Sequence, residues 1–378
     1  MQNAIDRQKT ASTLLSGRGG RKALIGLDGF VDELVHVVDV RHTAESYTKL
    51  ATLSALGERI SRAAGLSTNI ELTGLIQKLG GNGPILANAL AGLGVDVTCI
   101  GALGKDAVHP VFAQMSERCR LLSIADPGLS ICLEFDDGKL IMGKHEPLRA
   151  ITWEALKEQF GLQELANMLS PASLDLLGLE NWTMLPHMSD IFRGMIDEVF
   201  PRIPAGECIA FFDLADPEKR PVEDLAGALA LIRGFSARYR AVLGVNLKEA
   251  LQVARALGID LPDAKSPSTD DGLEAVTAAI GRALGIYCFV VHTLYGAGGY
   301  CDGNYHYAPG YYTPHPAITT GAGDNFNAGF CLGLLGNLEV SQALLVGNAS
   351  SGYYVRTAKS ATLPELAGFL SDTQPILL

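Results

Sequence analysis

The sequence predicts an α/β protein in which a parallel sheet is covered by helices on both faces. Short apolar runs alternate with amphipathic helical patterns over most of the chain, which is the rhythm of strand–helix–strand units. The 42 glycines concentrate where these runs and helical patterns meet. Ligands bind at such junctions in open α/β sheets, outside the carboxyl ends of the strands.

The strands of this sheet are predicted from the apolar runs, and the helices from apolar residues that recur at steps of three and four. The predicted strands, in chain order, cover residues 23–26, 95–100, 174–179, 208–212, 241–245 and 287–291. The clearest helical patterns between them cover residues 84–93, 188–200 and 222–235.

Two segments interrupt the alternation with hairpin signals, at 136–138 and at 302–304. Both contain Asp-Gly, which tolerates the positive φ of tight turns. The first hairpin is expected to belong to a lid, and the second to lie at one edge of the main sheet. An additional amphipathic helix is predicted over residues 46–64, because apolar residues recur there with helical spacing.

The length, hydrophobic content and net charge of the chain limit the kinds of protein and partner that we expect. The chain has 378 residues, 48% of them hydrophobic, which suits one large folded domain over 1–378 rather than a disordered protein. The formal net charge is −11, and no cluster of Lys and Arg stands against it. Nucleic acid and anionic membrane surfaces are therefore not expected as partners.

The seven cysteines are scattered and never spaced as C-x-x-C, which argues against a disulfide framework and a zinc site. We expect isolated core thiols in a reducing compartment. No apolar run approaches the roughly 18 residues of a membrane span, and the first residues lack the apolar core of a secretory signal. The expected location is the cytoplasm, with no membrane partner.

Known phosphate-binding signatures were compared with the glycine-rich segments. Neither G-x-x-x-x-G-K-[ST] nor a complete G-x-G-x-x-G occurs, which excludes a Walker-type nucleoside triphosphatase and removes the main support for a dinucleotide dehydrogenase. The remaining candidate is Thr319-Thr320-Gly321-Ala322-Gly323-Asp324, directly before a helical pattern. Backbone amides at such a helix start form an anion nest, and an Asp beside it can accept a proton from an attacking hydroxyl. The alternative is that Asp324 only caps the helix.

This segment resembles the C-terminal signature of the ribokinase-like, or PfkB, family of carbohydrate kinases. The resemblance implies that Asp324 is the catalytic base and that Gly321, Ala322 and Gly323 form the anion hole. It also implies a three-layer α/β/α sandwich with a mostly parallel central sheet and a small β lid, placed at about 33–45 and 125–148.

Three further segments resemble family motifs in the family's order. Gly80-Gly81-Asn82, followed by a helical pattern, is similar to the N-terminal Gly-Gly signature that approaches the sugar. The segment 101–106 is similar to G-x-x-G-x-D. Asn246-Leu247-Lys248-Glu249 is similar to N-x-x-E, whose Glu holds magnesium through water. Taken alone, these motifs could equally be a glycine-rich turn and a capped helix start.

The resemblance also assigns the remaining ligand contacts. Thr293, Gly296 and Gly298 are similar to the loop near the ATP phosphates, and Asn348 to the Asn that borders the adenine. Asp28 and Asp32 lie where the family's first strand ends in an Asp that binds sugar hydroxyls. Two carboxylates could accept hydrogen bonds from adjacent hydroxyls, whereas the alternative is a turn Asp and a surface Asp.

Two positions depart from the family pattern. The Asp that normally precedes Thr-Thr is Ile318, which argues against activation by a monovalent cation such as potassium. The Asn expected in the Gly-Gly motif is Ile85, so Asn82 or Asn88 would have to supply the sugar-facing amide. The acceptor end of the site is therefore expected to differ from that of ribose or fructose kinases.

Together these observations predict a kinase that uses ATP and Mg²⁺ to phosphorylate a hydroxyl of a sugar or sugar-like alcohol. Two alternatives stay open at this point. One is a nucleoside kinase of the same family, with Phe30 and Trp182 as candidate walls for a base. The other is a non-catalytic sugar- or nucleotide-binding regulator. A homodimer is expected by resemblance, because lid strands in this family often pair between subunits.

Overall fold

A computed structural model describes residues 6–17, 19–115, 117, 119–261 and 270–376. The strands in this part of the chain are β1 Lys22–Leu27, β2 Phe30–Arg41, β3 Tyr47–Lys49, β4 Leu72–Gly80, β5 Asp96–Gly101, β6 Cys119–Ser123, β7 Gly128–Phe135, β8 Gly138–Lys144, β9 Leu176–Leu179, β10 Ile209–Asp213, β11 Arg240–Asn246, β12 Cys288–His292, β13 Gly296–Cys301 and β14 Asn304–Pro309.

The α-helices in the same ranges are α1 Arg7–Ser16, α2 Leu53–Arg62, α3 Asn82–Gly92, α4 Trp153–Phe160, α5 Leu162–Met168, α6 Met188–Gly194, α7 Val222–Gly234, α8 Leu247–Ala256, α9 Asp270–Leu284, α10 Ala322–Leu335, α11 Val340–Thr357 and α12 Leu363–Asp372. The helical pattern at 188–200 is α6 followed by one π-helical turn, Met195–Val199.

The main sheet has the strand order β14-β13-β12-β11-β10-β9-β1-β5-β6. Neighbours from β12 to β6 in this order run parallel, whereas β13 and β14 form an antiparallel hairpin at the edge, as predicted for residues 302–304. Because the inner strands share one direction, the segments that follow β1, β9, β10, β11 and β12 meet at a single edge.

Alternate residues of the central strands lie on opposite faces of the sheet and pack into two separate hydrophobic cores. Each core is covered by helices, so the protein has three layers. Phe212 and Leu243 pack on one face with α4 to α9, while Phe211 and Val242 pack on the other with α1, α3, α10, α11 and α12. Burying each such side chain contributes about 1.5–3 kcal/mol. The arrangement confirms the predicted α/β class with a mostly parallel central sheet between helical layers.

A second, smaller sheet stands beside the first. It contains β4, β2, β7 and β8 in that order, and β3 pairs with the distal end of β2. The segments predicted as a lid, 33–45 and 125–148, contain most of β2 and all of β7 and β8. Helix α2 covers one face through Leu56, which lies in a small cluster with Val35 and Phe135.

The helix predicted over residues 46–64 is wrong in its first part. Residues Tyr47–Lys49 form β3 on the edge of β2, and the helix covers only Leu53–Arg62. Thr52 fixes its start, since the Thr52 side chain accepts a hydrogen bond from the Ala55 amide. Helical spacing therefore continued by coincidence through a short strand.

The expectation of isolated thiols is wrong for one cysteine pair. Cys288 and Cys301 occupy directly opposed positions on β12 and β13 and are joined as a disulfide, which the sequence spacing did not indicate. The other five cysteines are free. Within the described ranges, no helix has the length and hydropathy needed to cross a membrane.

Candidate active site

Polar side chains gather where the central strands end. Asp28 follows β1, Glu180 follows β9, Asp213 ends β10, Asn246 ends β11 and His292 ends β12. Parallel register brings these strand ends to the same edge, and Asn246 is directly opposed to His292. This edge, together with the start of α10, forms the candidate active site.

Asp324 lies in the first turn of α10, which begins at Ala322. Only 6% of Asp324 is exposed, and its Oδ1 accepts a hydrogen bond of 2.9 Å from the Asn82 amide nitrogen Nδ2. The fold therefore brings the two glycine-rich motifs into direct contact, although 242 residues separate them.

Burial of the Asp324 carboxyl raises its pKa from 3.8 to about 8. The hydrogen bond from Asn82 lowers the pKa, and the charges of Asp28, Glu249 and Asp32 raise it. A carboxylate with this pKa is a stronger proton acceptor than an exposed one. Its basicity suits a general base that works near neutral pH.

The loop before α10, where the sequence predicts an anion hole, turns sharply at Gly321. Gly321 has φ of 94°, a region that favours glycine, and its Cβ position would meet the Tyr354 hydroxyl at 2.8 Å. The Ala322 amide donates to the Thr319 carbonyl at 3.2 Å, so it is engaged within the loop rather than open as predicted. Gly323 and Asp324 follow in the first turn, where helix geometry provides no carbonyl partner for an amide.

Asp28 has a different place from the predicted sugar contact. It is fully buried, and its oxygens accept hydrogen bonds from the amides of Asn82 (3.0 Å) and Gly83 (2.8 Å) and from Asn181 Nδ2 (2.7 Å). Burial raises the pKa of Asp28 to about 6. With these acceptor positions occupied, Asp28 fixes the Gly81–Gly83 turn, which in turn positions Asn82.

Asp32 lies on β2 of the second sheet, opposite Lys78 of β4. It is 5% exposed, and burial raises its pKa although the charge of Lys78 and a hydrogen bond with Ser130 lower it. Gly80 packs so closely on Asp32 that a Cβ atom at position 80 would overlap the carboxylate. Of the two predicted acceptor carboxylates, Asp32 is the one that the backbone leaves free.

Asn246 and Glu249 form a capping box at the start of α8. The Asn246 side chain accepts from the Glu249 amide at 3.0 Å, and Glu249 Oε2 accepts from the Asn246 amide at 2.9 Å. Glu249 Oε1 accepts from the Asp216 amide at 2.8 Å. The alternative of a capped helix start is therefore observed, and any magnesium contact of Glu249 has to share oxygens already bonded to amides.

The residues predicted around the nucleotide are engaged within the protein. The Thr293 hydroxyl accepts from the Gly296 amide at 3.1 Å and holds the turn into β13. Gly298 is buried inside β13, opposite Tyr307, which removes it from the phosphate loop. Asn348 Nδ2 donates to the carbonyls of residues 308 and 309 at 3.0 and 3.1 Å, so this amide fixes the end of β14.

One lysine of the second sheet contacts the loop that precedes α10. Lys139, at the start of β8, donates to the hydroxyls of Thr319 (3.3 Å) and Thr320. Its pKa is lowered by burial, while the charges of Glu134 and Asp32 oppose that change. The hairpin predicted at 136–138 therefore touches the loop that precedes Asp324.

Three buried acidic side chains meet at the carboxyl edge of the central strands, and two of them were not predicted from the sequence. One oxygen each from Glu180, Asp213 and Asp324 lie within 4.8 Å of one another. Both new residues stand directly at the carboxyl end of an apolar strand, which was the signal available in the sequence. Asn327, one helical turn after Asp324, donates to Asp213 Oδ2 at 3.1 Å.

Comparisons with known proteins identify the family to which this chain belongs. A family model described as prokaryotic ketohexokinase matches residues 6–373. A ketohexokinase of Haloferax volcanii is 28% identical over 358 residues, which are 93% of this chain and 91% of that protein.

Solved structures show the same fold at low sequence identity. A carbohydrate kinase from Agrobacterium tumefaciens has a TM-score of 0.62 at 15% identity and covers 94% of this chain and 99% of its own. Ribokinase from Cryptococcus neoformans in complex with ADP has a TM-score of 0.59 at 17% identity, with 94% and 100% covered. The chain therefore belongs to the prokaryotic ketohexokinase family and is a carbohydrate kinase with the ribokinase fold.

Proposed function

We propose that this sugar kinase transfers the γ-phosphoryl group of ATP to a hydroxyl of a ketohexose, with Asp324 as general base. The observation that carries the proposal is the position of Asp324, which lies at the start of α10 and is bonded to Asn82 of the opposite motif at 2.9 Å. The family match supports a ketohexose rather than another sugar as the acceptor.

In this proposal, Asp32 and the Gly81–Asn82 backbone orient the sugar. Asp324 accepts the proton of the attacking hydroxyl while the hydroxyl oxygen bonds to the γ-phosphorus. The bond from that phosphorus to the bridging oxygen breaks, and ADP leaves. The amides of Gly323 and Asp324 face the charge on the transferring group, with the positive end of the α10 dipole behind them.

ATP is proposed to lie over the loops around Asn246, Thr293 and Gly321. Mg²⁺ would neutralise charge on its phosphates, and Glu249 would hold that ion through water, because both Glu249 oxygens already accept amide hydrogen bonds. Ile318 leaves no carboxylate for the family's monovalent-cation loop, so potassium activation is not expected. A cytoplasmic location is part of this proposal, since the reaction consumes ATP.

The second sheet is proposed to act as a lid over the acceptor. Its Lys139 contact with the Thr319 and Thr320 hydroxyls gives the sheet a polar attachment to the loop that precedes the base. Closing this attachment over the sugar would exclude water, which competes with the sugar as phosphoryl acceptor.

The two alternatives have weaker support. For a nucleoside kinase, Trp182 is unsuitable as a base-stacking wall because it is fully buried, with Nε1 donating to Ser189 and Arg220 over its ring. For a non-catalytic regulator, the support is the departure from the family pattern at Ile318 and Ile85, yet Asn82 supplies an amide beside Asp324. A buried carboxyl group with a raised pKa is also typical of a catalytic site, and a protein that only binds ligands has no use for such a proton acceptor beside the proposed anion nest.

The test is release of ADP by the purified protein with ATP, Mg²⁺ and one acceptor at a time from a panel of ketohexoses, aldoses, polyols and nucleosides. We expect turnover with a ketohexose at least 100-fold above the acceptor-free rate. Turnover with nucleosides alone would support the nucleoside kinase. Tight sugar binding by calorimetry without turnover on any acceptor would support the regulator.

A homodimer through the lid sheet is a further part of this proposal. β4 and β8 lie at the edges of that sheet and expose apolar side chains, among them Leu75, Ile76, Ile141 and Met142. Edge strands with exposed apolar residues tend to pair with another chain. Sedimentation equilibrium should give twice the mass of the 378-residue chain, and a monomer mass would refute this part alone.

A further inference from the structure

Glu180 is a buried acidic residue for which the proposed reaction has no use. It directly follows β9 and is fully buried, and its amide donates to the Gly26 carbonyl at 2.7 Å. Neither carboxylate oxygen has a hydrogen-bond partner among the described residues. Buried carboxylates without partners are rare because their desolvation is costly, so a missing partner is the expected explanation.

Around Glu180, the described residues include further carboxyl groups and the Cys331 thiol, and none of them forms a hydrogen bond with the Glu180 carboxylate. Asp213 Oδ1 also lacks a partner among the described residues, and Asp213 Oδ2 is occupied by the Asn327 amide. The charged groups that act on Glu180 are the carboxylates of Asp213, Asp324 and Asp28, and together with burial they hold the pKa of Glu180 well above its usual range. Three acidic groups thus face one another in a space closed to solvent.

The spacing of these oxygens suits a single ion. One oxygen each from Glu180, Asp213 and Asp324 lie within 4.8 Å of one another. Oxygens bound to one divalent cation at about 2.1–2.4 Å are at most about 4.2–4.8 Å apart, the range of Mg²⁺ to Ca²⁺. Carboxylate oxygens are also the ligands that such hard cations prefer.

We propose that Glu180, Asp213 and Asp324 form a divalent-cation site behind the catalytic base that fills without nucleotide. The site goes beyond the proposed function, in which Mg²⁺ arrives with ATP near Glu249. A cation here would offset the repulsion among the three carboxylates, and it would hold Asp324 in the ionised form that a general base needs. Asn327 would position Asp213 through its hydrogen bond to Oδ2.

The first experiment is titration of nucleotide-free protein with Mn²⁺ after removal of metals with a chelator, followed by the electron paramagnetic resonance signal of free Mn²⁺. We expect one saturable site per chain, competed by Mg²⁺. Glu180→Gln should weaken Mn²⁺ binding at least 10-fold. The matched control is Glu223→Gln, which removes the same charge from an exposed position in the first turn of α7 and should bind as the wild type does.

Thermal unfolding gives a second readout that needs neither nucleotide nor activity. In chelator, Glu180→Gln should melt at a temperature equal to or above that of the wild type, because an amide that is always neutral replaces a buried carboxyl group whose ionised form is costly. Mn²⁺ should raise the melting temperature of the wild type and leave that of the variant unchanged. If Glu180→Gln does not fold, Asp213→Asn takes its place in both measurements.

Three results would overturn the site: no saturable Mn²⁺ binding without nucleotide, binding retained in Glu180→Gln, or a wild-type melting temperature that responds to acid but not to cations. The last result would mean that shared protons, rather than a cation, link the carboxylates. None of these results depends on phosphorylation, so the site and the proposed kinase reaction can fail separately.

Discussion

Replacing Asp324 with asparagine tests the base assignment with little change in shape. The new side chain would keep an oxygen that accepts the 2.9 Å hydrogen bond from Asn82, and it would fill the same buried volume. The replacement removes the carboxyl group that is proposed to accept the proton. Burial raises the pKa of this group to about 8. Binding of ATP should be unchanged, because the amides of the α10 start remain.

The expected size of the effect follows from this chemistry. General base catalysis contributes roughly 10²–10⁴-fold to rates, so kcat should fall by that factor, which corresponds to about 2.7–5.4 kcal/mol. Thermal stability should not fall together with kcat. The ionised form of Asp324 lies among Asp28, Glu249 and Asp32 and is costly to bury, whereas the amide is always neutral, so the melting temperature in chelator should stay equal or rise.

The assay is ADP release at saturating ketohexose and ATP, alongside calorimetric titration with ATP and a thermal melt in chelator. Asp224→Asn is the matched control, since Asp224 occupies the first turn of α7 and is exposed. Turnover of Asp324→Asn within about threefold of the wild type would refute the base assignment. A loss of turnover accompanied by lost ATP binding would refute it too, because the effect would then be structural.

Three further changes test the surroundings of the base. Gly80→Ala should raise KM for the sugar at least 10-fold and leave ATP binding unchanged, because the new Cβ atom would displace the Asp32 side chain. An unchanged KM would show that Asp32 does not contact the sugar. Lys139→Met should lower kcat/KM by about 10–100-fold, because the charged hydrogen bonds from the lid to two threonine hydroxyls are lost. Lys144 is exposed on the same strand, so Lys144→Met should have the kcat/KM of the wild type. Desolvation lowers the pKa of His292 to about 4, so the unfolded state binds more protons between pH 6.5 and 4 and stability is lost as the pH falls through that window. In urea unfolding, His292→Gln should lose less stability than the wild type between pH 7.5 and 4.5, and an equal loss would contradict this assignment.

The sequence by itself determined the layers of the main sheet and the helix start at which the proposed base, Asp324, lies. Strand and helix periodicity arise from local contacts, so the six apolar runs predicted strands that the structure contains. The helical pattern predicted a helix start near Asp324, and α10 begins at Ala322. The short strand Tyr47–Lys49 was misread as helix, because its strand pairing comes from β2 and not from its own residues.

Only the tertiary structure decided which polar side chains are free to act. Asp28 and Glu249 look in the sequence like ligand contacts, yet their oxygens accept hydrogen bonds from backbone amides, which for Asp28 belong to residues 82 and 83 and for Glu249 to residues 216 and 246. Glu180 and Asp213 stand out only when parallel register brings the ends of β9 and β10 beside Asp324. Hydrogen bonding and desolvation depend on residues far apart along the chain, and a linear motif does not record which of its polar atoms are already satisfied.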